Sequence, residues 1–184
     1  ARELCGAEPM VRLETAGRST FTSLLMVRDE SPVRTVADLA GRTVGFGATL
    51  STASYLVPLG MLDEAGVGRG CYGCRFHRHH EEAARAVLLG EVDACGIRDT
   101  VGERFVGRGL RVLARSAPVP NYPLVAAPGL EPAMVRAVRV ALIERPRMDA
   151  TVRAMVASWD EEPSAGFALA SAGEYEPVRR LAER

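Results

Sequence analysis

The sequence predicts an α/β fold with a largely parallel sheet. Short apolar segments typical of strands alternate along the chain with segments that have helical periodicity. Strands that are joined by helical crossovers run parallel, so this alternation favours a parallel sheet. The apolar content of 47% and the charged content of 25% are typical of globular proteins, and 184 residues suffice for one domain or two small ones.

The elements follow one another without internal repeats. In the first half, the pattern predicts strands at 10–13, 22–27, 42–46 and 75–77, and helices at 35–39, 52–65 and 80–89. In the second half, it predicts strands at 92–97, 110–114 and 124–127, and helices at 99–106, 131–143, 149–158 and 175–182. The helix over 80–89 is the clearest case, because its apolar residues share one face and Gly90 follows as a C-cap.

Composition and motifs exclude several classes of function. The formal net charge is zero and the Arg residues are dispersed, so no nucleic-acid partner is expected. No apolar run has the roughly 18 residues of a membrane span. The chain begins Ala1-Arg2 with neither Met nor a signal peptide, which is typical of a processed or trimmed product. Neither a P-loop nor a Gly-x-Ser-x-Gly elbow is present, and no cofactor is expected.

The cysteines leave several interpretations open. Cys71 and Cys74 have CxxC spacing, and three histidines follow at 77, 79 and 80. A zinc site would normally need a second ligand pair at regular spacing, which is missing, so a local disulfide or unpaired thiols are favoured over a metal. A catalytic Cys–His pair would rest only on proximity in sequence.

The junction between the strand at 42–46 and the following helix is the most informative feature. Ser51, Thr52 and Ser54 place three hydroxyls where a small-residue turn enters the helix. The first amides of a helix lack internal partners, and the helix dipole makes this end electropositive. The hydroxyls could cap those amides, or amides and hydroxyls could together hold an anion. His80 and Asp99 occupy similar positions at the starts of later helices.

Six segments share their order and spacing with one known family. They are 21–28 (FTSLLMVR), 35–46 (TVADLAGRTVGF), 51–58 (STASYLVP), 80–94 (HEEAARAVLLGEVDA), 116–121 (SAPVPN) and 175–181 (YEPVRRL). Together they resemble the substrate-binding proteins of phosphonate, phosphite and phosphate ABC transporters, which have the type II periplasmic-binding fold.

The resemblance implies two mixed-sheet lobes with helices on both faces, the N-terminal part of the first lobe being missing. Residues 1–27 would form the end of lobe 1 and a crossover, 28–119 lobe 2, and 120–184 the return crossover and the C-terminal part of lobe 1. It also implies a function. A non-enzymatic solute-binding protein would capture a small phosphonate, phosphite or phosphate-type oxyanion in an interlobe cleft and serve an ABC permease.

The expected location is periplasmic or extracellular, and the expected state is a monomer. Anchoring as a lipoprotein is compatible with this location, its signal lying outside these residues. Two other functions are weighed against transport. A sensor domain of a signalling protein could use the same fold. An enzyme on this fold, such as a relative of pyrimidine-synthesis proteins or decarboxylases, would need a base or metal cluster.

The family motif assigns ligand contacts to the helix start and to one histidine. Its oxyanion-binding Ser-Thr-Ser hydroxyls and amides correspond to Ser51, Thr52 and Ala53, so the third hydroxyl is lost. Ser54 replaces a family glycine and adds a Cβ where the backbone approaches the ligand. His80 matches the family histidine that points at the ligand oxygens, although it could also be a surface residue of the helix start.

Three further residues complete the predicted ligand set. Phe21 stands where the family often has Tyr, so it would line the site without a phenolic donor, or simply pack in the core. Ser23 faces the same side of the strand two residues later. Asp99 would suit the amine of an aminoalkyl phosphonate, and helix capping is its alternative role.

Overall fold

The computed structural model describes residues 6–159 and 165–183, and in them the chain forms two compact units. Unit 1 comprises Ala1–Phe21 and Val119–Pro177, and unit 2 comprises Thr22–Pro118 and Val178–Arg184. The chain therefore passes from one unit to the other three times. The segmentation predicted from the family resemblance, at 27/28 and 119/120, stays a prediction.

The strands of the described residues are numbered in chain order. They are β1 Glu8–Leu13, β2 Thr20–Phe21, β3 Ser23–Arg28, β4 Thr43–Phe46, β5 Gly73–Phe76, β6 Ala94–Arg98, β7 Leu110–Arg115, β8 Val119–Pro120, β9 Pro123–Ala126 and β10 Phe167–Leu169. Most lie within a few residues of their predicted positions, whereas β2, β8 and β10 were not predicted, because two- and three-residue strands carry no readable periodicity.

The α-helices are α1 Val57–Glu64, α2 His80–Leu88, α3 Asp99–Gly102, α4 Pro132–Arg139, α5 Arg145–Met148, α6 Ala150–Ala157 and α7 Glu176–Ala182. Single turns of π-helix over Thr52–Leu56 and Val140–Glu144 continue into α1 and α5. Short 3₁₀ helices lie at Val36–Leu39, Glu103–Phe105 and Ala172–Tyr175. The predicted helix over 99–106 is therefore wrong in type: one α turn gives way to a 3₁₀ turn.

Unit 2 contains a mixed five-stranded sheet in the order β5-β4-β6-β3-β7. β4 runs parallel to both neighbours, whereas β3 runs antiparallel to β6 and to β7. The largely parallel sheet predicted from the alternation of elements is therefore wrong. The reason is that no helix leads into β3: the chain enters this strand from unit 1, two residues after β2.

Side-chain alternation divides the core of unit 2 into two layers, one on each face of the sheet. On one face, strand residues such as Leu25, Val44 and Phe46 pack with Leu59 and Leu62 of α1. The opposite face packs against α2, and its buried members include Leu24, Met26, Cys95, Ile97, Ala83 and Val87. This confirms the mixed sheet with helices on both faces that the family resemblance implied.

Unit 1 is built on an antiparallel three-stranded sheet in the order β10-β1-β9, beside the two-stranded pair β2-β8. Met10, Val11, Ala126, Ile143 and Phe167 form its buried cluster. Among the helices of the described ranges, none combines the length and the apolar character that crossing a bilayer requires.

Candidate functional site

One edge of the unit 2 sheet gathers most of the residues that the sequence singles out. The parallel strands β4, β5 and β6 all end at this edge. The antiparallel β3 begins there, with Ser23 paired to Arg98 in the register. Loops at the carboxyl ends of parallel strands are the usual ligand sites of α/β sheets, so the placement itself is informative.

The turn after β4 caps the helix that begins at Thr52. Ser51 is the N-cap, and its hydroxyl accepts a hydrogen bond from the Ser54 amide at 3.1 Å. The Thr52 and Ala53 amides have no acceptor among the described residues. Two N–H groups at the positive end of a helix are thus available to an anion. The Ser51 hydroxyl can still donate its own proton.

Ser54 makes two hydrogen bonds inside the turn, and its predicted ligand contact stays a prediction. Its side chain is fully buried, its hydroxyl donates to the Gly96 carbonyl oxygen at 2.6 Å, and it accepts from the Gly47 amide at 2.7 Å. A Cβ on Gly47 would lie only 2.6 Å from the Ser54 oxygen, so the turn needs glycine there. These contacts make Ser54 a brace between β4, β6 and the helix, and leave little hydroxyl capacity for a ligand.

His80 approaches the same turn from the other face of the sheet. It opens α2, and its Nδ1 accepts a long hydrogen bond of 3.5 Å from the Arg98 amide. Its Cδ2 would lie 3.4 Å from a Cβ built on Gly47. The second helix start therefore brings an imidazole to the same edge of the sheet.

Ser23 and Asp99 lie at this edge too, but only Ser23 has an unused polar atom. The Ser23 side chain is fully buried, and its hydroxyl has no hydrogen-bond partner in the described part of the chain. Asp99 is 1% exposed, and its carboxylate accepts from the Thr22 amide, the Thr22 hydroxyl and the Thr100 amide at 3.1, 3.0 and 2.8 Å. These bonds join the start of β3 to the start of α3, a structural role for Asp99.

Phe21 belongs to unit 1, whereas the other predicted ligand residues belong to unit 2. Its ring is 3% exposed, and its centroid lies 6.3 Å from that of Tyr122. Within unit 1 it therefore packs as a core residue, as the alternative interpretation of the sequence has it. Its predicted ligand contact stays a prediction.

The cysteine-rich segment shows no metal centre. Cys71 and Cys74 are exposed free thiols, Cys95 is a buried one, and Cys5 lies outside the described residues. No group of three His, Cys, Asp or Glu side chains in the described ranges is placed to hold a metal ion. Desolvation raises the pKa of Cys74 and raises that of Cys95 to about 12. The segment therefore carries unpaired thiols, one of the two interpretations that the spacing favoured.

Arg98 is the residue at this edge that sequence reasoning missed. It ends β6 and is only 4% exposed, although it is charged. Its position was a usable signal, because a charged residue directly after the predicted strand 92–97 comes at the carboxyl end of that strand.

Several solved structures share this fold. XAC2383 from Xanthomonas citri, bound to ATP, has a TM-score of 0.81 and 22% identity over 97% of this chain and 70% of that one. PhnD1 from Prochlorococcus marinus (MIT 9301), in complex with methylphosphonate, has a TM-score of 0.76 and 17% identity over 99% and 72%. The periplasmic aliphatic sulphonate binding protein SsuA from Escherichia coli has a TM-score of 0.62 and 18% identity over 96% and 63%.

These likenesses establish the type II periplasmic-binding fold. The sequence itself goes further, because the family described as "ABC transporter, phosphonate, periplasmic substrate-binding protein" matches residues 1–175. Proteins of this kind bind substrates for transport and are not enzymes. A match over nearly the whole sequence leads to one conclusion: the chain belongs to the phosphonate substrate-binding protein family of ABC transporters.

Proposed function

We propose that the protein captures a small tetrahedral oxyanion of the phosphonate, phosphite or phosphate type at this edge of unit 2. One observation carries the proposal: two helix starts approach Gly47 from opposite faces of the sheet. The first brings the Thr52 and Ala53 amides, which have no acceptor in the described part of the chain, and the second brings His80. Donors from two faces suit a tetrahedral ligand better than a planar one.

The physical basis is the positive end of a helix. The five residues of the π turn and the eight residues of α1 form one continuous helix, whose dipole favours negative charge at Ser51 and Thr52. Hydrogen bonds to a charged group contribute about 1.5–3 kcal/mol each. The two amides and the hydroxyls of Ser51 and Thr52 give four donors, and His80 lies beside the same turn. Ala53 cannot supply the additional hydroxyl found in the family motif, and its loss costs about 1–3 kcal/mol of binding energy.

The ligands of the fold relatives support the same chemistry. PhnD1 holds methylphosphonate, and SsuA is an aliphatic sulphonate binding protein. Both ligands present tetrahedral oxygens on phosphorus or sulfur. Family membership favours phosphorus for this chain.

The test is a calorimetric and thermal-shift titration of the 184-residue protein with phosphate, phosphite, methylphosphonate, sulfate, methanesulfonate and acetate. A ligand that binds only the folded state raises the melting temperature. We expect a shift with at least one phosphorus oxyanion, and a weaker one in Ser51→Ala and Thr52→Ala.

The matched control for this test is Ser171→Ala. Ser171 also caps a short helix, forming a capping box with Glu174 at 2.8 and 3.0 Å, but in unit 1. Its substitution should remove a cap without changing ligand affinity. If no phosphorus oxyanion shifts the wild-type protein, the proposed function is wrong.

We further propose that the loaded protein acts as a monomer outside the cytoplasmic membrane and passes its ligand to an ABC permease. A lipid anchor would hold it near that permease. The family description, which names an ABC transporter and a periplasmic location, supports this part of the proposal. Sedimentation should give the mass of one chain, and uptake of the ligand into cells should require the protein and the permease together.

A further inference from the structure

We propose that the oxyanion bound at this edge carries an aryl or similarly flat apolar group on phosphorus, and that Leu50, Tyr55 and Phe76 bind that group. These three residues form the apolar rim of the site. The inference rests on the proposed function, because it concerns the same edge of the unit 2 sheet. It names the class of ligand, an organophosphonate with an apolar substituent, and sets it apart from inorganic phosphate and phosphite.

Aromatic rings gather at the carboxyl ends of β4 and β5. Phe46 and Phe76 are the last residues of these strands and are opposite each other in the parallel register, with ring centroids 6.0 Å apart. The ring of Tyr55 packs edge-on against both, with its centroid 5.4 Å from that of Phe46 and 5.3 Å from that of Phe76. Rings at these distances and angles attract one another, so the cluster presents a defined surface.

Tyr55 links this aromatic cluster to the start of the helix. Its amide donates to the Ser51 carbonyl oxygen at 3.1 Å, so the two residues are one helical turn apart. A helical side chain leans towards the N-terminus and covers the turn before its own Cα. Because the ring also contacts Phe76 of β5, it lies over the first turn on the β5 side of the helix start.

Two members of the apolar rim expose apolar surface at this edge. Leu50 directly precedes the cap residue Ser51 and is 96% exposed. Phe76 is 45% exposed, whereas Phe46, which packs against it, is fully buried. Ligand pockets typically combine apolar and aromatic walls with a few polar groups that fix the orientation of the ligand. The apolar rim supplies such walls beside the polar helix start.

Leu50 is exposed although the sequence offers it a partner. An apolar residue just before an N-cap often packs against the fourth residue of the helix, and Leu50 and Tyr55 stand in this relation. With 96% exposure, Leu50 buries hardly any surface against Tyr55. The helix opens with a π turn, which is wider than an α turn and changes this spacing. The Leu50 side chain therefore remains accessible to a group that binds at the helix start.

A ligand held by the Thr52 and Ala53 amides lies within reach of the apolar rim. Consecutive Cα atoms are 3.8 Å apart, so those of Leu50 and Thr52 are separated by at most about 7.6 Å. A methyl group on phosphorus is too short to cover much of the rim. A phenyl ring extends several ångströms further and can lie against it.

The chemistry of the apolar rim favours an apolar group over an ammonium group. Aromatic faces also attract cations, but an ammonium group would lose water against the aliphatic side chain of Leu50. The carboxylate at this edge, that of Asp99, already accepts three hydrogen bonds from Thr22 and Thr100. A flat apolar group needs no counter-ion and can pack against both Leu50 and Phe76.

The experiment measures the binding of phenylphosphonate, methylphosphonate and 2-aminoethylphosphonate by calorimetry. We expect the wild type to bind phenylphosphonate roughly tenfold tighter than methylphosphonate, the effect of removing about 55 Å² more apolar surface from water. Leu50→Ala should weaken phenylphosphonate binding several-fold and methylphosphonate binding by less than about twofold. The matched control is Leu89→Ala, because Leu89 is also exposed, at 74%, but lies at the C-terminal end of α2. It should change neither affinity.

Phe76→Leu tests the aromatic ring. Leucine keeps apolar bulk beside Tyr55 but removes the flat face, so phenylphosphonate binding should fall several-fold while methylphosphonate binding is retained. Melting temperatures of the ligand-free variants report on folding, and Leu50→Ala should match the wild type because Leu50 is exposed. Ser51→Ala should weaken both phosphonates by the same factor, since it removes a contact to the oxyanion that they share.

The outcomes separate the two proposals. If the wild type binds no phosphorus oxyanion, the proposed function and this inference fail together. If another phosphorus oxyanion binds at least as tightly as phenylphosphonate, the function stands and this inference is wrong. The inference is also wrong if phenylphosphonate binds most tightly but Leu50→Ala and a folded Phe76→Leu keep wild-type affinity for it.

Discussion

Ser54→Ala tests whether the buried Ser54 hydroxyl stabilises the turn after β4. The Ser54 hydroxyl makes two short hydrogen bonds, to the Gly96 carbonyl oxygen and from the Gly47 amide, in a fully buried position. Alanine keeps the Cβ and removes only the oxygen. The substitution therefore isolates these two bonds.

The expected loss can be estimated from the groups left behind. A buried polar group that loses its partner costs about 1–3 kcal/mol. The Gly47 amide keeps a weaker bond to the Ser54 carbonyl at 3.3 Å, so it should contribute at the low end. We expect a fall of about 2–4 kcal/mol in the free energy of unfolding. For a chain of this size, that corresponds to a melting temperature roughly 5–15 °C lower.

The assay is urea and thermal unfolding followed by circular dichroism, with Ser51→Ala for comparison. Ser51 supplies one partly exposed cap bond, so its loss should cost only about 0.5–2 kcal/mol. A Ser54→Ala variant with wild-type stability but weaker oxyanion binding would refute this reasoning. That result would instead favour the direct ligand contact predicted from the family motif.

Three further predictions concern other parts of the chain. Burial raises the pKa of Tyr72 from 10.0 to about 12. As the pH rises, the unfolded state therefore loses this proton first, and the free energy of unfolding falls between about pH 10 and 12. Tyr72→Phe should reduce this fall, which urea unfolding midpoints measured across the same pH range would show. Burial also raises the pKa of the Cys95 thiol to about 12, so peptide mass spectrometry after brief treatment with a thiol reagent should find Cys71 and Cys74 modified and Cys95 intact. Asp149 caps α6 by accepting hydrogen bonds from the Thr151 and Val152 amides at 2.8 and 3.3 Å. Asp149→Ala should lower the free energy of unfolding, measured by urea denaturation, by about 1 kcal/mol. Unchanged stability would contradict the capping role.

Most helices and strands could be predicted because their patterns are local. The helix at 80–89 shows this, since its apolar spacing and its glycine stop are both written in adjacent residues. Strand direction is not local. Nothing in the segment 22–27 tells that it pairs antiparallel with β6, because that depends on how the chain enters from unit 1. The alternation of strands and helices alone therefore predicted a largely parallel sheet, whereas the sheet of unit 2 is mixed.

The candidate site also has features that the sequence predicts and features that depend on contacts between distant residues. The cap at Ser51 could be predicted from a hydroxyl residue before an apolar helix. The inward orientation of Ser54 could not, because the helix opens with a π turn in which the Ser51 carbonyl accepts from both the Tyr55 and Leu56 amides. A wider turn changes which side chains face the sheet. The bonds that Asp99 accepts from Thr22 could not be predicted for a similar reason, since Thr22 lies 77 residues away in the chain.

The same edge suggests how a site can lose one donor and still hold an anion. The family motif provides a third hydroxyl where this chain has Ala53, whose side chain is fully buried. The backbone amide of residue 53 does not depend on its side chain, so the positive end of the helix still offers the Thr52 and Ala53 amides, which have no acceptor among the described residues. In the proposed site, the hydroxyl missing at Ala53 would therefore weaken anion binding by about 1–3 kcal/mol without abolishing it.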